Sequence, residues 1–235
     1  MRRIVLCATV ALLAVQSAFA GEPGGFYSGD PVKGYRKAEF VVLKSNDVNI
    51  RTAPETGNII KTMNKHSLFR VLKHEGKWLR VNADGMTGSV YEDFTGSGSS
   101  AELTEEDFFL DEEILGKKFS EKDIGGLGKL LHKGKAGKQT LYEYEARTIA
   151  VNNKNAFVEA VEIRDPGVIT MRGISVGDAS WRLVGQYGVP DAVSYRDDKV
   201  VYEYFRKNER KDVSELLFFV DMLGNITKFM LQKGR

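Results

Sequence analysis

The chain has one cysteine in 235 residues, Cys7. It sits inside the apolar run Ile4 to Val15, so no disulfide scaffold is expected. Charge of one sign is also missing: 34 Lys plus Arg stand against 32 Asp plus Glu. Balance of this kind gives no electrostatic reason to expect nucleic acid or an anionic membrane as the partner. The apolar run is too short for a membrane-spanning helix, so no membrane span is expected. What the first twenty residues do contain is a three-part export pattern. Met1-Arg2-Arg3 is positive, the apolar run follows, and Ala18-Phe19-Ala20 offers a small-x-small cleavage site. The expectation is an exported protein, periplasmic or secreted, cleaved after Ala20. Removing residues 1–20 takes Arg2, Arg3 and Cys7 and leaves 215 residues, with 32 basic and 32 acidic side chains. That chain has no thiol to act as nucleophile or metal ligand, and it is long enough to stabilise its fold by apolar burial.

Familiar catalytic arrangements are scarce. His66, His74 and His132 have no His or Cys neighbours at ligand spacing, so neither a metal nor another cofactor is expected. No Gly-x-Ser-x-Gly elbow and no Ser-x-x-Lys dyad occurs. The Gly/Lys stretch from Gly125 to Lys138 fails the phosphate-loop test, because His132 stands five residues before Gly137 and Gln139 follows Lys138. It reads as a solvated, mobile connector, with weak anion binding as the alternative. Asp111-Glu112-Glu113 are sequence neighbours and do not converge on one substrate. The expectation is a protein that is not an enzyme.

Two breaks divide the chain. Residues 21–38 are rich in Gly and Pro and read as a flexible lead-in. Residues 96–101 continue a Gly/Ser stretch begun at Thr95 and read as a linker. Between them, residues 39–95 alternate at period two, with turn residues every eight to twelve positions, the pattern of a small barrel or sandwich. Asp84-Gly85 is a two-residue hairpin signal. Residues 102–235 mix helix and strand signals. Leu103 to Phe119 reads as an amphipathic helix capped by Thr104, and a second helix is expected from Asp178 to Tyr187-Gly188. Strands are expected at Thr140 to Val151, Phe157 to Ile163, Val193 to Tyr195, Val200 to Phe205, Leu216 to Val220 and Ile226 to Leu231. Tyr142-Glu143-Tyr144-Glu145 recurs as Tyr202-Glu203-Tyr204-Phe205, so an internal duplication is expected, with halves near 103–164 and 170–235 joined edge to edge. The expected fold class is an all-β SH3-like barrel followed by an α+β domain with helices packed on an antiparallel sheet.

Three ordered motifs of the first unit resemble the bacterial SH3 (SH3b) domain. They are Asp47-Val48-Asn49-Ile50-Arg51-Thr52-Ala53-Pro54, Gly76-Lys77-Trp78-Leu79-Arg80-Val81 and Met86-Thr87-Gly88-Ser89-Val90. The pattern departs at Ala53, where the family has Gly, and at Ser89, where it has an aromatic. Arg172-Gly173-Ile174-Ser175-Val176-Gly177-Asp178, Tyr187-Gly188-Val189-Pro190 and Asp221-Met222-Leu223-Gly224-Asn225-Ile226 resemble the β-lactamase-inhibitor-protein-like fold of small outer-membrane-assembly lipoproteins. These resemblances imply a cell-envelope binding protein whose partners are a cell-wall peptide and another envelope protein. Many exported SH3b proteins are wall hydrolases with a Cys and a His in the second domain, and this chain lacks that Cys.

Candidate ligand residues follow from chemistry. Trp78 and Tyr91 supply aromatic area and Arg51 a carboxylate partner; alternatively Trp78 packs in the core and Arg51 holds the next loop. Tyr142 and Tyr144, like Tyr202 and Tyr204, are two apart on a strand and share a face. If that face is open they form a protein-binding surface, and if covered they are core. The alternative function is an inhibitor or assembly chaperone of an exported enzyme, with the barrel as a spacer.

Overall fold

The structure, a computed structural model, describes residues 40–83, 86–108, 115–120, 128–196, 199–207 and 213–233. The expected leader, the lead-in, Asp84-Gly85 and Asp111-Glu112-Glu113 lie outside these residues. No helix among the described residues is long and apolar enough to cross a membrane.

The first sheet is built from β1 (Phe40–Leu43), β2 (Val48–Arg51), β3 (Ile59–Met63), β4 (Leu68–Glu75), β5 (Trp78–Ala83), β6 (Met86–Tyr91) and β7 (Thr95–Ser97). All its pairings are antiparallel, in the order β3-β2-β6-β5-β4-β1-β7. The period-two pattern sends Leu43, Val48, Ile50, Phe69, Leu79, Val81, Ala83 and Val90 into one core. Gly88 is needed where β6 crosses β2, because a Cβ there would stand 2.4 Å from Ile50 Cγ2. The expected linker is not free chain: β7 pairs with β1, the Ser99 carbonyl accepts from Val189 N–H at 3.0 Å, and Ala101 N–H donates to Tyr187 at 3.3 Å.

The second sheet consists of β8 (Leu130–Ala136), β9 (Gln139–Tyr144), β10 (Arg147–Asn152), β11 (Val158–Ile163), β12 (Ala192–Arg196), β13 (Lys199–Lys207), β14 (Val213–Val220) and β15 (Ile226–Lys233). Two four-stranded meanders join edge to edge through β11 and β15, in the order β12-β13-β14-β15-β11-β10-β9-β8. Helix α1 (Ser180–Tyr187) sets Leu183, Val184 and Tyr187 into the core on one sheet face. Phe40 and Leu68 of the first sheet enter that same core. A second cluster, including Ala150, Ala160, Val201, Leu217 and Met230, lies on the opposite face.

This corrects the expected α+β class. The chain is nearly all β, with α1 the one α-helix among the described residues. Where Leu103 to Phe119 reads as a helix, the described part contains the 3-10 turn Glu106–Phe108 and a β-bridge from Lys118 to Phe157. The described turn closes locally: the Asp107 carboxylate accepts from Thr104 N–H at 2.8 Å, the reach-back contact of a capped turn, and turns inward onto Arg172. The described part of the Gly/Lys connector is also mostly strand: β8 is an edge strand, and Lys133 stands 4.7 Å over the Tyr142 ring. Lysines on an edge discourage further pairing. Thr140 to Val151 divides into two strands, β9 and β10. At α1, Ala179 rather than Asp178 holds the N-cap position. Asp178 accepts from Ser175 N–H at 2.9 Å and pairs with Arg182. Gly188 does end the helix, at φ +72; a Cβ there would meet the Ser99 carbonyl oxygen at 2.4 Å.

Asp107 and Arg172 fasten these parts together. Arg172 Nε donates to Asp107 Oδ1 at 2.5 Å and Nη2 to Oδ2 at 2.7 Å. The same guanidinium donates to the Gln186 and Glu102 carbonyls at 2.9 and 2.7 Å and stands 5.1 Å over the Tyr187 ring. Burial alone would raise the Asp107 pKa, but the hydrogen bonds and charge of Arg172, with Thr104, hold it below its ordinary value of 3.8. A lowered carboxylate pKa contributes stability that is full above the unfolded value and is lost as pH falls through the folded one. Asp107→Ala is expected to cost about 1–2 kcal/mol at pH 7, since it removes the charged partner of a half-buried guanidinium and the acceptor of Thr104 N–H. The variant should also lose less stability than the parent between pH 5 and the acid limit. Urea unfolding at several pH values, followed by tryptophan fluorescence, measures both.

Candidate functional site

The strand period that fills the first core also selects what faces outward. With Leu79 and Val81 buried, Trp78 and Arg80 project to the other side of β5. Antiparallel register sets Trp78 opposite Tyr91 and Arg80 opposite Ser89, and on its other side Ser89 pairs with Arg51. Trp78, Tyr91 and Arg51 therefore share one outer face. The Arg51–Ser89 row lies two residues, about 7 Å, along β6 from the Trp78–Tyr91 row.

The aromatics form a short chain. Trp78 and Tyr91 meet edge to face at 5.5 Å between ring centroids, and Tyr91 meets Phe94 the same way at 6.2 Å. Trp78 and Tyr91 are half-buried, whereas Phe94 is 46% exposed. Trp78 is thus outside the core of the first sheet and partly open to solvent. Sequence reasoning missed Phe94, which lies in the 3-10 turn Glu92–Phe94 and breaks the strand alternation.

Two arginines hold the loop beside this row. Arg51 Nη1 donates to the Gly57 carbonyl at 2.9 Å, and Arg80 Nη1 to the Thr52 carbonyl at 2.7 Å. The loop-holding alternative for Arg51 is therefore realised. A guanidinium carries five N–H donors, so meeting a carboxylate does not require giving up that bond. Arg80 also donates to Ser89 Oγ at 3.3 Å, and Ser89 is fully buried. Arg80 thus lies against Ser89 on the outer side of the sheet. It was legible in the sequence as the outward residue between Leu79 and Val81, but was not singled out. Aromatic area and planar cations suit a ligand with flat or aliphatic groups and a carboxylate.

The tyrosine rows do not form a binding face. Tyr144, Tyr202 and Tyr204 are buried in the core of the second sheet. Tyr204 packs 5.4 Å from Tyr187 and 6.0 Å from Phe218. Tyr142 is half-buried, 4.3 Å from Phe119 and beneath Lys133. Helix α1 and the first sheet cover that side, which is why the tyrosines are core.

Ionisation is displaced elsewhere. Burial pushes Tyr187 up to about 12, and burial, opposed by Asp165, lowers Arg147. Tyr187 is sealed from solvent, 1% exposed. Among the described residues no group of three or more His, Asp, Glu or Cys is placed to hold a metal ion.

No family model matches the chain, and no curated protein matches it. Among solved structures, the crystal structure of the C-terminal domain of TagH is similar at 11% identity, covering 83% of this chain and 96% of that one with a TM-score of 0.23. A likeness of that size carries nothing about fold or function.

The outer-face geometry has a measurable energetic signature. A double-mutant cycle on Trp78→Ala and Tyr91→Ala should give a coupling of about 1 kcal/mol in urea unfolding. Arg51→Gln should speed amide exchange in residues 52–57 and leave the core strands protected, as read by hydrogen-exchange mass spectrometry.

Proposed function

We propose that the protein is an exported, non-catalytic cell-envelope binding protein, and that the outer face of its first sheet takes a cell-wall peptide. The observation that carries this reading is the row Trp78–Tyr91–Phe94 beside Arg51 and Arg80 on one face. Its chemistry is that of holding a ligand: contact area from the rings, carboxylate pairing from the guanidinium groups. The SH3b resemblance of residues 47–90 and the export pattern of residues 1–20 support the same compartment and ligand class. The second sheet is the part available to another envelope protein. Its candidate contacts are the exposed apolar loop residues Ile169, Met171, Met222 and Leu223.

The alternative, an inhibitor or chaperone in which the barrel is only a spacer, fits less well with a first sheet whose Phe40 and Leu68 are part of the core beneath α1. Deleting the first sheet would open that core, so point substitutions are the better probe.

Co-sedimentation with purified peptidoglycan tests the proposal. The pure protein should pellet with the wall. Trp78→Ala combined with Tyr91→Ala should weaken binding at least tenfold, about 1.4 kcal/mol, with an unchanged far-ultraviolet circular dichroism spectrum. Recovery of the parent protein in the supernatant, or a variant that pellets equally well, would sink the assignment.

A further inference from the structure

The first sheet meets helix α1 across a cleft of about 380 Å³. Lys44, Lys65 and His66 line the side belonging to the first sheet, while Val184, Gly185 and Gln186 of α1 line the other and Gly98 lies between Val42 and Val189. No carboxylate is among the described lining residues, so the formal charge of the lining is positive. Val42 and Val184 supply apolar wall next to the cations.

Two residues here go against local preference. His66 sits at φ +71, in the left-handed region that is uncommon for non-glycine residues and in which His is among the better tolerated. It is held there by its N–H bond to the Leu43 carbonyl at 2.9 Å. Gly185 occupies the interior of α1, where glycine is a poor helix former. The two departures meet: a Cβ on Gly185 would lie 3.2 Å from His66 Cδ2. Gly185 thus leaves room for the His66 ring at the edge of the cleft. Two locally uncommon choices thus converge on one contact beside a concave, positively lined place, and outliers of this kind point to function.

We propose that this cleft binds the terminal carboxylate of a short peptide with small aliphatic side chains. The lysines and His66 meet the carboxylate, and Val42, Val184 and Val189 meet the side chains. The volume, near the low end for ligand pockets, suits a dipeptide rather than a long chain. These residues are distinct from the aromatic face, so either assignment can fail alone.

The test is an NMR titration of the protein with N-acetyl-Ala-Ala, with its C-terminal amide, and with inorganic phosphate. The acid should bind with a Kd of about 1 mM, shifting the His66, Gly98 and Gly185 signals. The amide and phosphate should bind at least tenfold more weakly. Lys44→Gln with Lys65→Gln should weaken the acid about tenfold at unchanged melting temperature. Should that variant prove unstable, Lys65→Arg, which keeps the charge, should bind like the parent. Equal binding of acid and amide would overturn the proposal, as would tighter binding of phosphate. So would shifts confined to Trp78 and Tyr91, or no shift at about twenty times the expected Kd.

Discussion

Much of this architecture converges on one ion pair between a buried carboxylate and a half-buried guanidinium. Asp107 and Arg172 are far apart in sequence, yet their two-pronged contact joins the segment leaving the first sheet to the turn that precedes α1. Through the Gln186 and Glu102 carbonyls the same guanidinium also fixes the last turn of the helix and the strap beside it. Desolvating such a pair is expensive, and its geometry has to be good to offset the cost. Here both carboxylate oxygens are engaged and the cation lies over an aromatic ring. The consequence is positional: α1 is the surface on which the first sheet rests, so the pair indirectly sets where the cationic cleft opens.

A second polar device sits at the seam of the large sheet. Glu162 on β11 is almost fully buried, and it receives both Arg164 and, at 2.8 Å, Lys228 from β15. Arg164 reaches further, to Thr148 Oγ1 at 2.9 Å and the Tyr144 carbonyl at 3.0 Å. The network therefore spans the place where the two meanders join. Sliding β15 along β11 by one residue would separate Lys228 from Glu162 and turn apolar residues to the wrong face. Register at the join is specified by charge as well as by packing.

Strand positions were the most legible part of the chain, because alternation and turn residues speak locally. The edge-to-edge joining of two halves could be read from the tyrosine repeat, and α1 from its glycine stop. The α+β class was misread for two reasons. The acidic run near Asp107 reads as the start of a helix; its described residues hold one 3-10 turn, and the partner that draws this carboxylate inward lies 65 residues away. The Gly/Lys run looked like a loop, although lysines are also what an edge strand carries. At the candidate site, register set Trp78, Tyr91 and Arg51 on one face, and alternation alone could have added Arg80. Phe94 and the cleft around His66 had no local signal, since each depends on chain folding back from elsewhere.

The shared core has a further consequence. With Phe40 and Leu68 packed among α1 and the second sheet, pulling the two sheets apart exposes apolar surface on both. Neither is then a bead on a string. Tension applied between a tethered first sheet and a partner held by the second would be carried through side-chain packing and the backbone bonds of Ser99 and Ala101. The two sheets are in that sense joined by packing rather than by a leash.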